Sequence, residues 1–351
     1  MQIIHVIESG GGSTEFVLLL VKHLKKHHHH IIYGERTFGS KFVEKNKDYP
    51  NASFQFWKYA QRELKPFWDF MALIVLIKLI SSIKCNVVHL HSSKAGFLGR
   101  VACFLIRRKN VVYTPNGWSF IRKDISALKR KIYFALEISA AHLWGKVICC
   151  SKSEADAFGK GVRYINNGTI IKREIQISKQ EKEEIIIVTT GRICYQKGPE
   201  LFNSIALAFE NNKNYQFRWV GDGELAKKLT SRNILVTGWM NKTGVEEHLQ
   251  AADIYLSTAL WEGLPFSVLE AMNYSLPLVL YRAVGNIDLV SEGINGYVFE
   301  TLELAKSTIS IISENLETRK NFGRNSKNIL INHFNAENMA TSYDSVYNEK
   351  D

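Results

Sequence analysis

WEGLPFSVLEAMNYSLPLV, from Trp261 to Val279, can be parsed before the rest of the chain. An apolar strand, Ala251 to Leu256, precedes it, and Glu262 falls in the loop that follows. Gly263-Leu264-Pro265 turns the chain into a helix-forming run. Glu270 lies about one and a half turns into that helix, with seven residues separating it from Glu262. A helix that begins at Pro265 or Phe266 has unpaired N–H groups in its first turn, and its dipole favours anions there. The segment therefore offers an anion-binding helix end and two carboxylates able to hold sugar or ribose hydroxyls. That combination suits a nucleotide-sugar. Read alone, the same residues also describe a solvated loop glutamate beside a surface-helix glutamate, so the rest of the chain has to decide.

At 351 residues the chain is too long for one ordinary core, and two domains are expected. Its 46% apolar and 23% charged residues are those of a soluble globular protein. Met1-Gln2 runs straight into Ile3–Ile7, so no signal peptide is expected. The longest apolar run, Phe67 to Ile80, is broken by Asp69 and Lys78. It is shorter than the roughly 20 residues a spanning helix needs. The five cysteines (Cys85, Cys103, Cys149, Cys150, Cys194) form no C-x-x-C. They read as reduced thiols, with Cys149 and Cys150 packed at a strand end. Residues 1–170 hold 26 Lys and Arg against 11 Asp and Glu, a net +15; the rest holds 19 against 23, a net −4. A basic first half beside a mildly acidic second half points to different partners. The His27–His30 run lacks a neighbouring carboxylate or cysteine and is expected at the surface or on an edge strand.

Apolar strands alternate with amphipathic helices throughout, which predicts α/β layers on parallel sheets. The first series of strands is Ile3–Ile7, His30–Tyr33, Phe54–Phe56, Val87–His91, Val111–Thr114, Val147–Cys150 and Arg163–Ile165. The polar stretch 172–184 reads as a linker. The pattern restarts with Ile185–Thr189, Phe217–Val220, Ile234–Thr237, Ile254–Ser257, Pro277–Tyr281 and Tyr297–Phe299. Two doubly wound domains follow, residues 1–171 and 185–331, expected to face each other across a cleft lined by strand carboxyl ends. Residues 332–351 read as a final amphipathic helix packing back toward the first domain. Phe334, Met339, Tyr343 and Tyr347 mark its apolar face.

Several strand ends carry candidate groups. Gly10-Gly11-Gly12 follows the first strand, but Glu15 spoils the dinucleotide fingerprint G-x-G-x-x-G/A, and a plain tight turn is the alternative. Gly191-Arg192 and, five residues on, Lys197 put a guanidinium and an ammonium on one Gly-bounded loop, a pairing suited to a diphosphate leaving group. Gly221 and Gly238-Trp239-Met240 end two further strands, where a nucleotide can rest or a simple turn can form. In the first half, His91, Lys94 and Asn116 are polar groups placed for the acceptor or the sugar. Two expected helices, Trp57–Lys84 and Phe120–Glu137, mix apolar residues with Lys58, Arg62, Lys65, Lys78, Lys84 and with Arg122, Lys123, Lys129, Arg130, Lys131. They suit an anionic membrane surface or, alternatively, a core with solvated lysines. Nucleic-acid binding has no accompanying motif.

Together these segments resemble the family 4 glycosyltransferases, retaining enzymes of the GT-B fold. The likeness spans nearly the whole chain: the Gly-rich loop, HSSKAGFLGR (His91–Arg100), YTPNGWSF (Tyr113–Phe120), GR with QKG, GDGE, EGLPFSVLEAM, and Val284 to Phe299. HSSKAG with TPNGW is similar to the subgroup that builds bacterial surface polysaccharides (O-antigen, capsule, exopolysaccharide) on lipid-linked acceptors. The resemblance implies that Arg192 and Lys197 hold the donor diphosphate and that Glu262 contacts the donor sugar. It also implies that the backbone of Gly263, Leu264, Pro265 and Phe266 meets sugar and phosphate, that Glu270 binds the ribose, and that Gly10–Gly12 border the phosphates and the acceptor. One position departs: many relatives have His where this chain has Asn116, which can hydrogen-bond but cannot act as a base. The usual mechanism asks for none, because the leaving phosphate takes the acceptor proton.

The expectation is thus a retaining, metal-independent hexosyltransferase. It would use a nucleotide-sugar, UDP-linked rather than GDP-linked, and a lipid-linked, undecaprenyl-type glycan. It would work without a cofactor, in the cytoplasm, peripheral on the inner face of the membrane. A UDP-sugar 2-epimerase of related fold and a non-catalytic nucleotide-sugar-binding protein are the alternatives. A dehydrogenase fits poorly because the Gly fingerprint is incomplete.

Overall fold

The computed structural model describes residues 1–35, 48–61, 65–172 and 184–349. Arg62 and the expected linker, apart from its end residues Lys172 and Glu184, lie outside the described residues. The chain divides into two units. The first comprises Met1–Ile121, Ile125–Gly168 and Ala336–Asp351; the second comprises Arg122–Asp124 and Thr169–Asn335.

The first unit is built on seven parallel strands: β1 (Gln2–Ser9), β2 (His28–Glu35), β3 (Ala52–Phe56), β4 (Val87–His91), β5 (Val111–Thr114), β6 (Lys146–Cys149) and β7 (Arg163–Tyr164), in the order β3-β2-β1-β4-β5-β6-β7. Its helices are α1 (Gly12–His23), α2 (Pro66–Ser82), α3 (Ser93–Leu105), α4 (Ala127–Leu143), α5 (Lys152–Phe158) and the final α11 (Ala336–Asn348). On one face of the sheet Ile4, Val6, Val88 and Leu90 pack with Leu76, Ile80 and Ala95. That face is apolar, whereas the opposite face of β1, β2 and β4 also buries His5, His29, His89 and His91.

Two helices start later than the sequence suggests. Trp57 is not helical: it follows β3, is fully buried, and its indole N–H donates to the Ala72 carbonyl at 2.8 Å. Helix α2 begins only at Pro66, whose ring suits a first helical position, and the Asp69 carboxylate accepts the Lys65 N–H at 3.0 Å. Phe120 lies in a short 3₁₀ turn, Ser119–Ile121, and α4 waits for Ser126, whose hydroxyl caps it by accepting the Lys129 N–H.

The histidine run contradicts its expected surface or edge position. β2 lies between β3 and β1, His29 is fully buried, and His27 nearly so. His29 joins a chain of imidazoles whose direction can be deduced. Its Nε2 faces the Leu24 carbonyl at 3.2 Å and must donate. Its Nδ1 then accepts from His5 Nε2 at 3.0 Å, and His5 Nδ1 accepts from His91 Nε2 at 3.1 Å. His89 contacts the Tyr347 hydroxyl at 2.6 Å and Thr114 Oγ1 at 2.9 Å, and Thr114 meets Tyr343 at 3.1 Å. Burial, reinforced by neighbouring imidazoles, holds His5, His89 and His91 well below the ordinary histidine range; burial brings His29 down to about 4. The rings are therefore neutral. His5, His89 and His91 bring nitrogens within 4.8 Å of one another, but the group contains no carboxylate, and five of its six nitrogens bond to each other, His29, Tyr347 and Thr114, leaving His91 Nδ1 buried without a partner among the described residues. The cluster is a hydrogen-bonded polar core.

The second unit has six parallel strands: β8 (Ile185–Thr190), β9 (Tyr215–Val220), β10 (Ile234–Val236), β11 (Ile254–Ser257), β12 (Leu278–Tyr281) and β13 (Gly296–Phe299), ordered β10-β9-β8-β11-β12-β13. Helices α6 (Pro199–Ala208), α7 (Lys242–Ala251), α8 (Phe266–Asn273), α9 (Leu302–Glu314) and α10 (Leu316–His333) accompany them. Ile187, Phe202, Phe217, Leu256, Val279 and Phe299 form its core. Strand order reverses at β1/β4 in one sheet and β8/β11 in the other, the places where doubly wound sheets open a crevice at their carboxyl ends.

Candidate active site

In the second unit the loops after β8 and β11 meet at the switch point. Lys197 Nζ stands 2.8 Å from Glu262 Oε1, with both side chains largely buried. Burial works against the Lys197 charge, yet the facing Glu262 carboxylate, with Tyr255 and Cys194, outweighs it and raises the pKa, so the ammonium persists at neutral pH. The two loops are tied by backbone as well. Leu260 N–H donates to the Gln196 carbonyl at 2.8 Å, and Thr258 Oγ1 donates to the Lys197 carbonyl at 2.8 Å. Gln196 Nε2 donates to the Trp261 carbonyl at 3.0 Å and approaches Glu262 Oε2 at 3.3 Å. Gly198 is required here: its φ is +64°, and a Cβ would stand 2.3 Å from the Thr258 carbonyl oxygen.

Arg192 lies half-buried in the turn after β8. Gly191 is anchored through its carbonyl, which accepts the Trp219 indole N–H at 2.9 Å. A Cβ at Gly221 would stand 2.1 Å from that same oxygen, so the turns after β8 and β9 can close only over glycine. Gly221 also bridges to Gly238, while Trp239 and Met240 beyond it are exposed at 55% and 40%, a large apolar pair at a strand end. Pro265 caps α8, which begins at Phe266 as its sequence indicates, and Glu270 is its fifth residue, half-buried. Gly263, Leu264 and Pro265 are buried. The Glu262 N–H donates to the Val284 carbonyl at 3.1 Å, which fixes the loop against the chain after β12. Loop cations, the carboxylate Glu262 and the α8 N-terminus are thereby gathered at one end of one sheet.

The first-unit candidates are placed differently. Gly10 and Gly11 adopt φ of +121° and +73°, and Gly12 opens α1. The Gly10 N–H is already taken by Thr14 Oγ1 at 2.8 Å. His91, expected to face an acceptor, is fully buried in the imidazole chain. Lys94, expected to do the same, is 8% exposed and holds Asp69 of α2 at 2.6 Å. Asn116 keeps a buried acceptor atom unused. Its φ is +52°, its side-chain nitrogen reaches the Thr114 carbonyl at 3.4 Å, and its Oδ1 has no hydrogen-bond partner among the described residues.

Two residues were given no role by the sequence reading. Gln196 seats Glu262, as above. Glu154 is fully buried; its two carboxylate oxygens accept the N–H groups of Gly117 at 2.5 Å and Cys150 at 2.6 Å, and its carbonyl accepts from the Trp118 indole. It holds the loop that carries Asn116. Its available signal was the spacing Ser151-x-x-Glu154, a helix-capping pattern, and Ser151 Oγ does accept the Glu154 N–H.

Comparison with known proteins identifies the family and the fold. The family described as Glycosyltransferase Family 4 matches residues 10–173, and Glycosyl transferases group 1 matches residues 171–329. The chain is a family 4 glycosyltransferase of the GT-B fold. A UDP-Gal:alpha-D-GlcNAc-diphosphoundecaprenol alpha-1,3-galactosyltransferase of Escherichia coli is 28% identical over 316 residues, 82% of this chain and 81% of that one. Among solved structures, sucrose-phosphate synthase of Thermosynechococcus elongatus aligns with a TM-score of 0.80 at 15% identity, over 99% of this chain and 98% of the other. HepE of Anabaena in complex with UDP-glucose aligns at 0.76 and 18%, over 98% of each. At such identities the structures speak for the fold alone.

Proposed function

We propose that this glycosyltransferase moves a hexose from a UDP-sugar to a lipid-linked glycan in bacterial surface-polysaccharide synthesis, with retention at the anomeric carbon and without a metal. The observation that carries the reading is the Lys197–Glu262 pair at the β8/β11 switch point, beside the α8 N-terminus. Arg192, Lys197 and the α8 N–H groups offer positive charge to a diphosphate; Glu262 offers an acceptor to sugar hydroxyls; Glu270 offers one to ribose. In the reaction the acceptor hydroxyl oxygen bonds to the anomeric carbon as the bond from that carbon to the diphosphate oxygen breaks, on the same face. The hydroxyl proton passes to the departing phosphate. The protein supplies position and charge, with Asn116 offering a hydrogen bond rather than a base.

The Escherichia coli relative's name supports UDP and a diphosphoundecaprenol acceptor. So does the surface of α4: Leu128, Ile132 and Leu136, four residues apart, are exposed at 68%, 48% and 43% beside Lys129, Arg130 and Lys131. Such a stripe suits the anionic cytoplasmic face of a membrane. No helix among the described residues is long and apolar enough to cross one. The test is calorimetry with UDP, GDP and NAD, followed by transfer assays from UDP-hexoses to a diphosphoundecaprenol-linked sugar with and without EDTA. Micromolar UDP binding and EDTA-resistant transfer with retained anomeric configuration are expected. Binding of NAD alone, or conversion of a UDP-sugar without an acceptor, overturns the reading.

A further inference from the structure

Helix α8 is eight residues long, too short to hold its own geometry, so its two ends decide where it stands. Its N-terminal end belongs to the site described above. Its C-terminal end is gripped by one side chain from α10. Lys327 Nζ donates to the Asn273 carbonyl at 3.0 Å, to Asn273 Oδ1 at 2.8 Å and to the Lys172 carbonyl at 2.7 Å. All three ammonium hydrogens are used. A cation on the last carbonyl of a helix also complements its dipole. The buried Asn273 side chain extends the grip: Oδ1 accepts the Lys172 N–H at 3.1 Å and Nδ2 donates to the Ile170 carbonyl at 3.0 Å. Alongside, Gly323 of α10 lies so close to the turn after α8 that a Cβ there would stand 2.0 Å from the Ser275 carbonyl oxygen.

We infer that Lys327 is a positioning residue of the donor site: by fixing the C-terminal end of α8 it sets where the α8 N-terminus and Glu270 meet the nucleotide. The inference rests on the proposal that α8 binds the donor. Lys327 is half-buried, and that burial, with the Lys172 charge nearby, brings its pKa down to about 8. Deprotonation removes one of three donors and the charge, so the grip weakens just above neutrality. The groups around it hold their state there. Burial disfavours the Lys172 charge, but Glu246 at 2.5 Å and Tyr274 at 2.6 Å outweigh it and raise its pKa. The Lys172 contact keeps Glu246 low, and burial keeps Tyr274 high. The phosphates of UDP ionise below this range.

The experiment is calorimetry of UDP with the full chain from pH 7 to pH 9.5, for wild type, Lys327→Met, Lys327→Arg and Glu270→Ala, with donor kinetics on the same proteins. Expected at pH 7 is a Kd for UDP about fivefold to tenfold higher in Lys327→Met, recovered to within about twofold in Lys327→Arg, with KM for the donor moving and kcat nearly constant. In wild type, UDP affinity falls across about pH 8, and this step is absent in Lys327→Met. The wild-type titration alone tests the idea should the Met variant fail to fold. Unchanged affinity in Lys327→Met, or a flat wild-type profile, while Glu270→Ala still weakens UDP, overturns the role of Lys327 and leaves the donor site standing. No UDP binding by wild type overturns both.

Discussion

The two units share a strand order around their central strands, yet they use polar residues in opposite ways. In the first unit, His5, His29, His89, His91, Glu154 and Lys94 are turned inward, against one another or against backbone. In the second, Lys197, Glu262, Arg192 and Glu270 stand at or beside strand ends, none of them fully buried. The same topology thus carries a polar core that fixes loops in one case and a charged ligand edge in the other. The charge asymmetry of the halves, +15 against −4, is separate from both: in α4 it falls on an exposed helix face, with Lys129, Arg130 and Lys131 at the surface.

The largest expected effect that separates the units is acid sensitivity. The four buried imidazoles bind protons in the unfolded chain at about 6.5 but resist them when folded. The unfolded state therefore binds more protons as pH falls below that value. Stability is full above about pH 6.5 and is lost as pH falls toward the folded pKa, about 4 for His29. Urea titrations followed by hydrogen exchange should show first-unit amides losing at least about 2 kcal/mol between pH 6.5 and pH 5, with second-unit amides changing less. Equal loss in both units would erase the contrast.

Next in size are the site charges. Lys197→Ala, Glu262→Ala and Arg192→Ala are each expected to lower transfer by at least about tenfold, or roughly 1.4 kcal/mol of transition-state stabilisation. Circular dichroism should show the fold intact, and wild-type rates in all three would break the assignment of chemistry to the second unit. Glu270→Ala should weaken UDP several-fold by calorimetry, roughly 1 kcal/mol, without touching acceptor KM. Smallest is the capping change Ser126→Ala, which should cost about 1 kcal/mol or less in first-unit stability and leave UDP affinity unaltered.

The thirteen strands among the described residues, and the restart between the two sheets, were legible, because buried parallel strands are written as short apolar runs. The α8 start was legible to within one residue: Pro265 or Phe266 was expected, and the helix begins at Phe266. The sequence misled where tertiary partners decide. Trp57 and His29 look like surface or helix residues until Ala72 and His5 are brought to them from 15 and 24 positions away. Lys94 and His91 sit at the right strand end, but Asp69 and His5 claim them first. Gln196 and Glu154 act through backbone groups, which no residue spacing records directly.

Helix α11 has a consequence for how the protein is made. Tyr343 and Tyr347, synthesised after the whole second unit, supply hydroxyls to Thr114 and His89, and His27 pairs with Asp344 at 2.6 Å. The ribosome therefore releases the second unit's sequence before the first unit can close its core, so the amino-terminal half waits, incomplete, until α11 has emerged. A nascent chain stalled at Asn335 should expose that half to protease, and a substitution that disturbs α11 should damage the part of the molecule encoded first.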